Sequence, residues 1–266
     1  MSSRRRGSAP APVVLVAAIG LLFLAFPLIA VLVRTPWRSL WSLWQSSDVL
    51  TALRLSLECA TLATLFSLLL GVPLAWMLAR GRLPGLRLLR ALVLLPLILP
   101  PVVGGLALLF AFGRSGVFGR FLNEWFGFTL PFTTTGVVVA ETFVAMPFLI
   151  IAVEGALRSA DQGLEEAAAT LGASRWRVFT RVTIPLVRPS LLAGATLCWA
   201  RALGEFGATI TFAGNYPGTT QTLPLAVYNQ LQTDPPSAIA VSLVLLLVAV
   251  IVLAVLGERW LGGPAR

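Results

Sequence analysis

Long apolar runs are the feature of this sequence that most constrains its fold. The hydrocarbon core of a bilayer is about 30 Å thick, and about 20 helical residues cross it. Lipid offers the backbone no hydrogen-bond partners, so runs of this length are predicted to be helices. Six such runs lie at residues 13–33, 59–79 with an outward extension to 52, 91–113, 137–156, 186–212 and 238–257. The pattern predicts an all-α integral membrane protein with about six transmembrane helices.

The composition supports this prediction, because the chain has too few charged residues to cover a soluble domain. Charged residues make up 12% of the sequence, whereas soluble domains carry about 25%. Arg4, Arg5 and Arg6 precede the first apolar run, as they would in a signal peptide. That run is long for a signal peptide and no A-x-A-like site follows it, so we expect a retained helix.

Missing residue types exclude several kinds of chemistry. All 20 basic residues are arginines, and the sequence contains neither lysine nor histidine. A phosphate-binding P-loop needs a lysine, and histidine-based catalytic or metal sites are equally excluded. Cys59 and Cys198 lie inside apolar runs and are expected to be small buried side chains. We therefore expect no catalytic residue, no metal site and no cofactor in this chain.

The arginines also predict the orientation of the chain in the membrane. With the N terminus in the cytoplasm, fourteen arginines fall in inner segments and four fall in outer segments. Positive residues accumulate on the cytoplasmic side, so both termini are predicted to be cytoplasmic. Because the arginines flank membrane-spanning runs, the net charge of +9 is not taken to indicate nucleic-acid binding.

The outer segments are predicted to be partly ordered. Residues 34–51 carry Trp37, Trp41 and Trp44 at helical spacing, which predicts a helix lying at the membrane interface. Residues 213–236 are rich in glycine and proline and are predicted to form turns.

The third apolar run contains helix-breaking residues, Pro100-Pro101 followed by Gly104-Gly105. Backbone groups freed by a break are tolerated in a membrane only where protein or a cavity covers them. The break could therefore line a cavity, or it could be a kink that serves packing alone.

The longest predicted cytoplasmic segment, residues 157–188, has the pattern of a short amphipathic helix pair. Leu164, Ala168 and Leu171 fall on one helical face. Gly172 is expected to stop or bend the first helix, and Pro185 is expected to end the segment before the next span. From physics alone, the pair could dock on a partner or could lie at the lipid headgroups.

Part of this segment resembles a known family. The stretch Glu166-Ala167-Ala168, Gly172 four residues later, and Val182-x-Ile184-Pro185 is similar to the "EAA loop", E-A-A-x3-G-x9-I-x-L-P, of permease subunits of bacterial ATP-binding-cassette importers. The resemblance implies the type I importer permease fold over residues 52–257. It also implies a coupling loop, residues 157–188, in which Glu166, Ala167, Ala168 and Gly172 dock on a separate ATPase subunit. Residues 1–12 and 258–266 would be cytoplasmic tails, and residues 13–33 the first transmembrane helix.

Two charged residues lie inside the fifth apolar run. Arg201 and Glu205 are four positions apart, so one helical face can hold them as an ion pair. In one interpretation, the pair neutralises its own charge and fixes helix packing. In the other, it lies near a translocation path. Arg54 and Glu58 form a similar pair at the start of the second span, with the same two interpretations.

The residues around this second stretch resemble one branch of the importer family. Arg201-x-Leu203-Gly204-Glu205-Phe206-Gly207-Ala208 is similar to sulfate, thiosulfate and molybdate permeases. The stretch 214–224, Tyr228 and the Pro100-Pro101 break look more like molybdate permeases. The resemblance implies a bacterial cytoplasmic-membrane homodimer that imports an oxyanion, most similar to a molybdate importer. It further implies ATP hydrolysis by a separate subunit and delivery by an external binding protein.

Three alternatives remain open from the sequence. A sulfate, thiosulfate or tungstate importer would carry the same motifs. A secondary transporter or channel belongs to a different class, but it usually shows internal repeats, midplane ionisable groups or rings of charge. A membrane enzyme is the third alternative, and the missing histidine and lysine argue against it.

Overall fold

The structure, a computed structural model, describes residues 10–81 and 84–261, with side chains up to residue 252. Most of the predicted tails, residues 1–9 and 262–266, lie outside the described residues. Over the described ranges the chain forms thirteen α-helices and one π-helical turn: α1 (Ala11–Arg34), α2 (Leu40–Trp44), α3 (Ser47–Arg80), α4 (Leu86–Ile98), α5 (Pro101–Phe112), α6 (Gly119–Phe126), α7 (Thr134–Ser159), α8 (Gln162–Thr170), α9 (Arg175–Val178), the π turn (Phe179–Thr183), α10 (Ile184–Leu203), α11 (Gly207–Phe212), α12 (Leu223–Thr233) and α13 (Pro235–Leu261).

Within the described ranges, five helical segments are long and apolar enough to cross a membrane. They contain α1, α3, α7, α13 and a continuous helix of 29 residues, Arg175–Leu203, which includes α9, the π turn and α10. These segments confirm the first, second, fourth and sixth predicted spans, with ends that differ by a few residues. The fifth span, predicted at 186–212, is present but lies earlier in the chain, at Arg175–Leu203. Pro185 does not end the cytoplasmic segment as predicted, because a proline is tolerated in the first turn of α10.

The third predicted span is broken in two. Helices α4 and α5 meet at Leu99 and Pro100, and their axes differ by 119°. Arg80, at the end of α3, donates to the Ala160 carbonyl, and Arg158, near the end of α7, donates to the Leu78 carbonyl. Helices α3 and α7 therefore end on the same side of the membrane. The chain between them must cross once, so α4 and α5 form one broken span and the total is six.

The centre of the bundle is built from α3, α7 and α10. Small side chains let these helices approach closely, and a methyl group at Gly71 of α3 would lie 3.2 Å from Ile150 of α7. Cys59 of α3 and Cys198 of α10 are fully buried, which confirms their prediction as small core residues.

Two outer segments differ from their predictions. The interfacial helix in residues 34–51 is only α2, because α3 already begins at Ser47. Trp44 at its end donates to the Ala240 carbonyl of α13 at 2.8 Å, so α2 is attached to the last span. Within residues 213–236, Gly214 and Gly218 do form turns with positive φ, but α12 was missed.

The predicted orientation can be tested by cysteine labelling. Ser174, between α8 and α9, and Thr219, before α12, are both exposed, whereas Cys59 and Cys198 are buried and should give little background. An impermeant maleimide added to intact cells should modify Thr219→Cys and should modify Ser174→Cys only after permeabilisation. The opposite pattern would contradict the cytoplasmic location of α8 and α9.

Candidate functional site

The predicted coupling residues lie on and just after α8, at the same end of the bundle as the ends of α3 and α7. The side chain of Asp161 accepts a hydrogen bond from Gly163 N at 2.8 Å, which starts the helix. Glu166, Ala167 and Gly172 are exposed, and Ala168 is half-buried. The structure therefore places the four predicted residues on one short surface segment.

Gly172 ends α8 as the sequence predicts. Its φ of +84° lies in the left-handed region, and a methyl group added there would meet nothing within 4 Å. Within this chain, glycine is therefore favoured at position 172 by backbone conformation and not by lack of space.

The apolar face predicted on α8 is partly covered by the rest of the described chain, since Ala168 is half-buried while Leu164 is 49% exposed. Leu171 is 89% exposed, and Trp176 in α9 is 72% exposed. Leu164 and Leu171 belong to the predicted face of α8, whereas Trp176 lies beside Phe179, with ring centroids 5.8 Å apart. Large exposed apolar side chains on such a short segment are typical of an interaction surface.

A second candidate site lies where two broken spans meet, because α5 packs against α11. A methyl group at Gly105 would lie 2.7 Å from the Ala208 carbonyl oxygen, and one at Gly207 would lie 2.7 Å from Cβ of Pro101. These glycines allow the two breaks to touch, so protein covers the backbone groups that the breaks expose. The fifth predicted span, 186–212, was expected to be continuous; it is interrupted between Leu203 and Gly207.

Arg201 and Glu205 form an ion pair beside this second break. Nη2 of Arg201 lies 2.6 Å from Oε2 of Glu205, and the Glu205 side chain is 1% exposed. Oε1 of Glu205 accepts a hydrogen bond from Ala208 N at 2.8 Å. One carboxylate thus compensates a cation and also satisfies a backbone donor at the start of α11.

Glu141 of α7 is a further buried acidic residue of this site, and the sequence analysis above does not single it out. It is 1% exposed, and its Oε2 has no hydrogen-bond partner among the described residues. Its position seven residues after the start of α7 places it about 10 Å into the span. An acidic residue that far inside an apolar run is the signal that could have identified it.

The pair Arg54–Glu58 differs from Arg201–Glu205. Its atoms are 2.6 Å apart, but the two side chains are 80% and 50% exposed. An exposed pair of this kind contributes little to stability.

The outer segment between α11 and α13 directly contacts the break between α10 and α11. The ring of Phe206 lies 5.0 Å from the ring of Tyr228 in α12. Leu223 N, at the start of α12, donates to Ser56 Oγ of α3 at 2.7 Å. The loop 214–222 and α12 therefore cover the outer side of the site.

Comparisons with known proteins give the family of this fold and site. The profile of the family described as "Binding-protein-dependent transport system inner membrane component" matches residues 67–261. The chain belongs to this family. It is therefore a multi-pass inner-membrane transport component and not an enzyme.

The chain is also similar to individual relatives over most of its length. It is 50% identical over 250 residues to the molybdenum transport system permease protein ModB of Mycobacterium tuberculosis, which covers 94% of each chain. It is 37% identical over 236 residues to the sulfate transport system permease protein CysT of Escherichia coli, covering 87% of this chain and 85% of the relative. A chain of a bacterial ABC transporter for alginate import has the same fold, with a TM-score of 0.73, 21% identity, and coverage of 93% and 92%. The expected importer permease fold is thus confirmed.

The two interactions of Glu205 predict how its variants fold. Glu205→Ala removes the partner of Arg201 and the acceptor of Ala208 N, so it should destabilise the permease by about 2 kcal/mol or more and lower its yield. The double variant Arg201→Leu with Glu205→Gln carries no charge and keeps an acceptor, so it should recover the yield. Yield and thermal midpoint in detergent are the measurements. A wild-type midpoint for Glu205→Ala would contradict the structural role of this pair.

Proposed function

We propose that this chain is the membrane subunit of an ATP-driven importer that carries molybdate across the cytoplasmic membrane. The observation that supports molybdate as the substrate is the 50% identity to a molybdenum permease over 94% of both chains. Sulfate is the second candidate, because a sulfate permease is 37% identical over 87% of this chain. Tungstate, thiosulfate and molybdate are all oxyanions and belong to the same substrate class.

The proposed mechanism uses both ends of the bundle. A cytoplasmic ATPase subunit docks on Glu166, Ala167, Ala168 and Gly172, and ATP-driven closure of the ATPases displaces the coupling helix α8. The exposed Leu171 supports this docking surface, because it supplies apolar area directly beside Gly172.

The outer end of the proposed path lies at the two broken spans. An external binding protein would deliver the oxyanion there, close to Arg201. The positive charge of Arg201 would attract an oxyanion. When no anion is present, Glu205 can pair with Arg201 and neutralise its charge. The alternative is that Arg201–Glu205 serves packing alone. The charge-free double variant described above distinguishes the two roles, because it should transport normally only if the pair serves packing alone.

We further place two copies of the chain in the transporter, each with its own ATPase. The face of α5 beside the breaks supports a second copy, because Val102, Leu106 and Phe110 are more than two-fifths exposed there. Two copies would bring two sets of breaks together around one path.

Substrate identity is tested by uptake in a strain that lacks the gene. The wild-type permease should restore uptake of labelled molybdate at submicromolar concentration, and tungstate should compete more strongly than sulfate. If the permease restores uptake of sulfate and not of molybdate, its substrate is sulfate. Uptake that needs neither an ATPase nor a binding protein would contradict the importer itself.

The coupling surface is tested by a charge reversal with a matched control. Glu166→Arg reverses an exposed charge on α8, and Glu124→Arg reverses an exposed charge on α6 at the opposite membrane side. Both variants should insert and fold as the wild type does, because neither residue is buried. Glu166→Arg should lose most of the ATPase in a detergent pull-down and most of the uptake, and Glu124→Arg should keep both. Equal retention by the two variants would contradict the docking surface.

A further inference from the structure

Glu165, the neighbour of Glu166, points towards the membrane spans and not towards the cytoplasm. Its side chain is 17% exposed, whereas Glu166 is exposed. Oε1 of Glu165 lies 3.3 Å from Nη2 of Arg80 and accepts a hydrogen bond from Thr183 Oγ1 at 3.2 Å. The two adjacent glutamates of α8 therefore have different surroundings.

The partners of Glu165 belong to the cytoplasmic ends of different spans. Arg80 is the last residue of α3, and its side chain is 8% exposed. Its Nη2 also donates to the carbonyl of Ala160, directly after α7, at 3.4 Å. Thr183 lies in the π turn at the base of α10 and is 2% exposed. One carboxylate thus connects α8 to α3, to α10 and, through Arg80, to α7.

A neighbouring ionic cluster does not include α8. Glu154 of α7 pairs with Arg90 of α4 at 2.6 Å and with Arg158 of α7 at 2.9 Å. That cluster holds α4 and α7 together. Among the residues that the structure describes, Arg80–Glu165 is the ion pair that joins α8 to a membrane span.

We infer that Glu165 is the positioning residue through which movement of α8 is transmitted to α3, α7 and α10. The inference rests on the proposed function, because it needs an ATPase that displaces α8. A partly buried ion pair resists separation, since each charge would be left without compensation in a site of low dielectric. When α8 moves, Arg80 and Thr183 should therefore move with it. Without the carboxylate, α8 could follow the ATPase while the spans stay behind.

The test measures uptake per ATP hydrolysed in proteoliposomes that contain the permease, its ATPase and the molybdate-loaded binding protein. The variant Arg80→Leu with Glu165→Leu removes the link without stranding a charge. It should bind the ATPase and hydrolyse ATP, but its uptake per ATP should fall roughly tenfold. The variant Glu165→Gln keeps an acceptor for Arg80 and Thr183 but removes the ion pair, so its uptake per ATP should fall severalfold, less than in the double leucine variant. The matched control, Arg54→Leu with Glu58→Leu, removes an exposed pair and should couple like the wild type.

The outcomes separate this inference from the proposed function. If the double leucine variant binds the ATPase and couples like the wild type, Glu165 transmits nothing and the inference is wrong. Should the double leucine variant fail to fold, Glu165→Gln decides, and wild-type coupling in that variant would overturn the inference. A wild type that neither binds the ATPase nor transports would overturn the proposed function, and the inference with it.

Discussion

The parallel contact between α3 and α7 is the interaction on which the other features of the structure depend. Small residues bring the two helices together, and their cytoplasmic ends exchange hydrogen bonds through Arg80 and Arg158. Because they end on the same side, the chain between them must cross the membrane once. That requirement makes one span of α4 and α5, and it places α8 directly beneath the central helices.

The outer and inner sites are joined by one continuous helix. The segment Arg175–Leu203 has 29 residues and would extend about 43 Å as a regular α-helix. Its inner end includes the π turn that contains Thr183, and its outer end carries Arg201 beside the break. A rigid segment of this length can carry a displacement at α8 to the break between α10 and α11, and π-helical turns often occur at functional positions.

The sequence was sufficient for the spans and for the break at Pro100-Pro101, but not for the break between α10 and α11. Apolar length predicts a span because lipid leaves the backbone no alternative to a helix, and Gly172 marked the end of α8 because it permits positive φ. The interruption before Gly207 depends on Ala208 N bonding to Glu205 and on Pro101 packing against Gly207. The bond from Ala208 to Glu205 is local, but the contact of Pro101 with Gly207 joins distant segments and leaves no local pattern. The same limit applies to α12, whose start is held by Ser56, and to Glu165, which differs from Glu166 only in the direction that the fold gives it.

The central claim is that ATP hydrolysis on a partner drives oxyanion transport through this chain. The most direct measurement is molybdate accumulation in proteoliposomes that hold the permease and its ATPase, with and without ATP and the binding protein. We expect accumulation against a gradient only when both are present, together with hydrolysis stimulated by the loaded binding protein. Molybdate flux that runs down its gradient at the same rate without ATP would contradict it and would indicate a channel or secondary transporter.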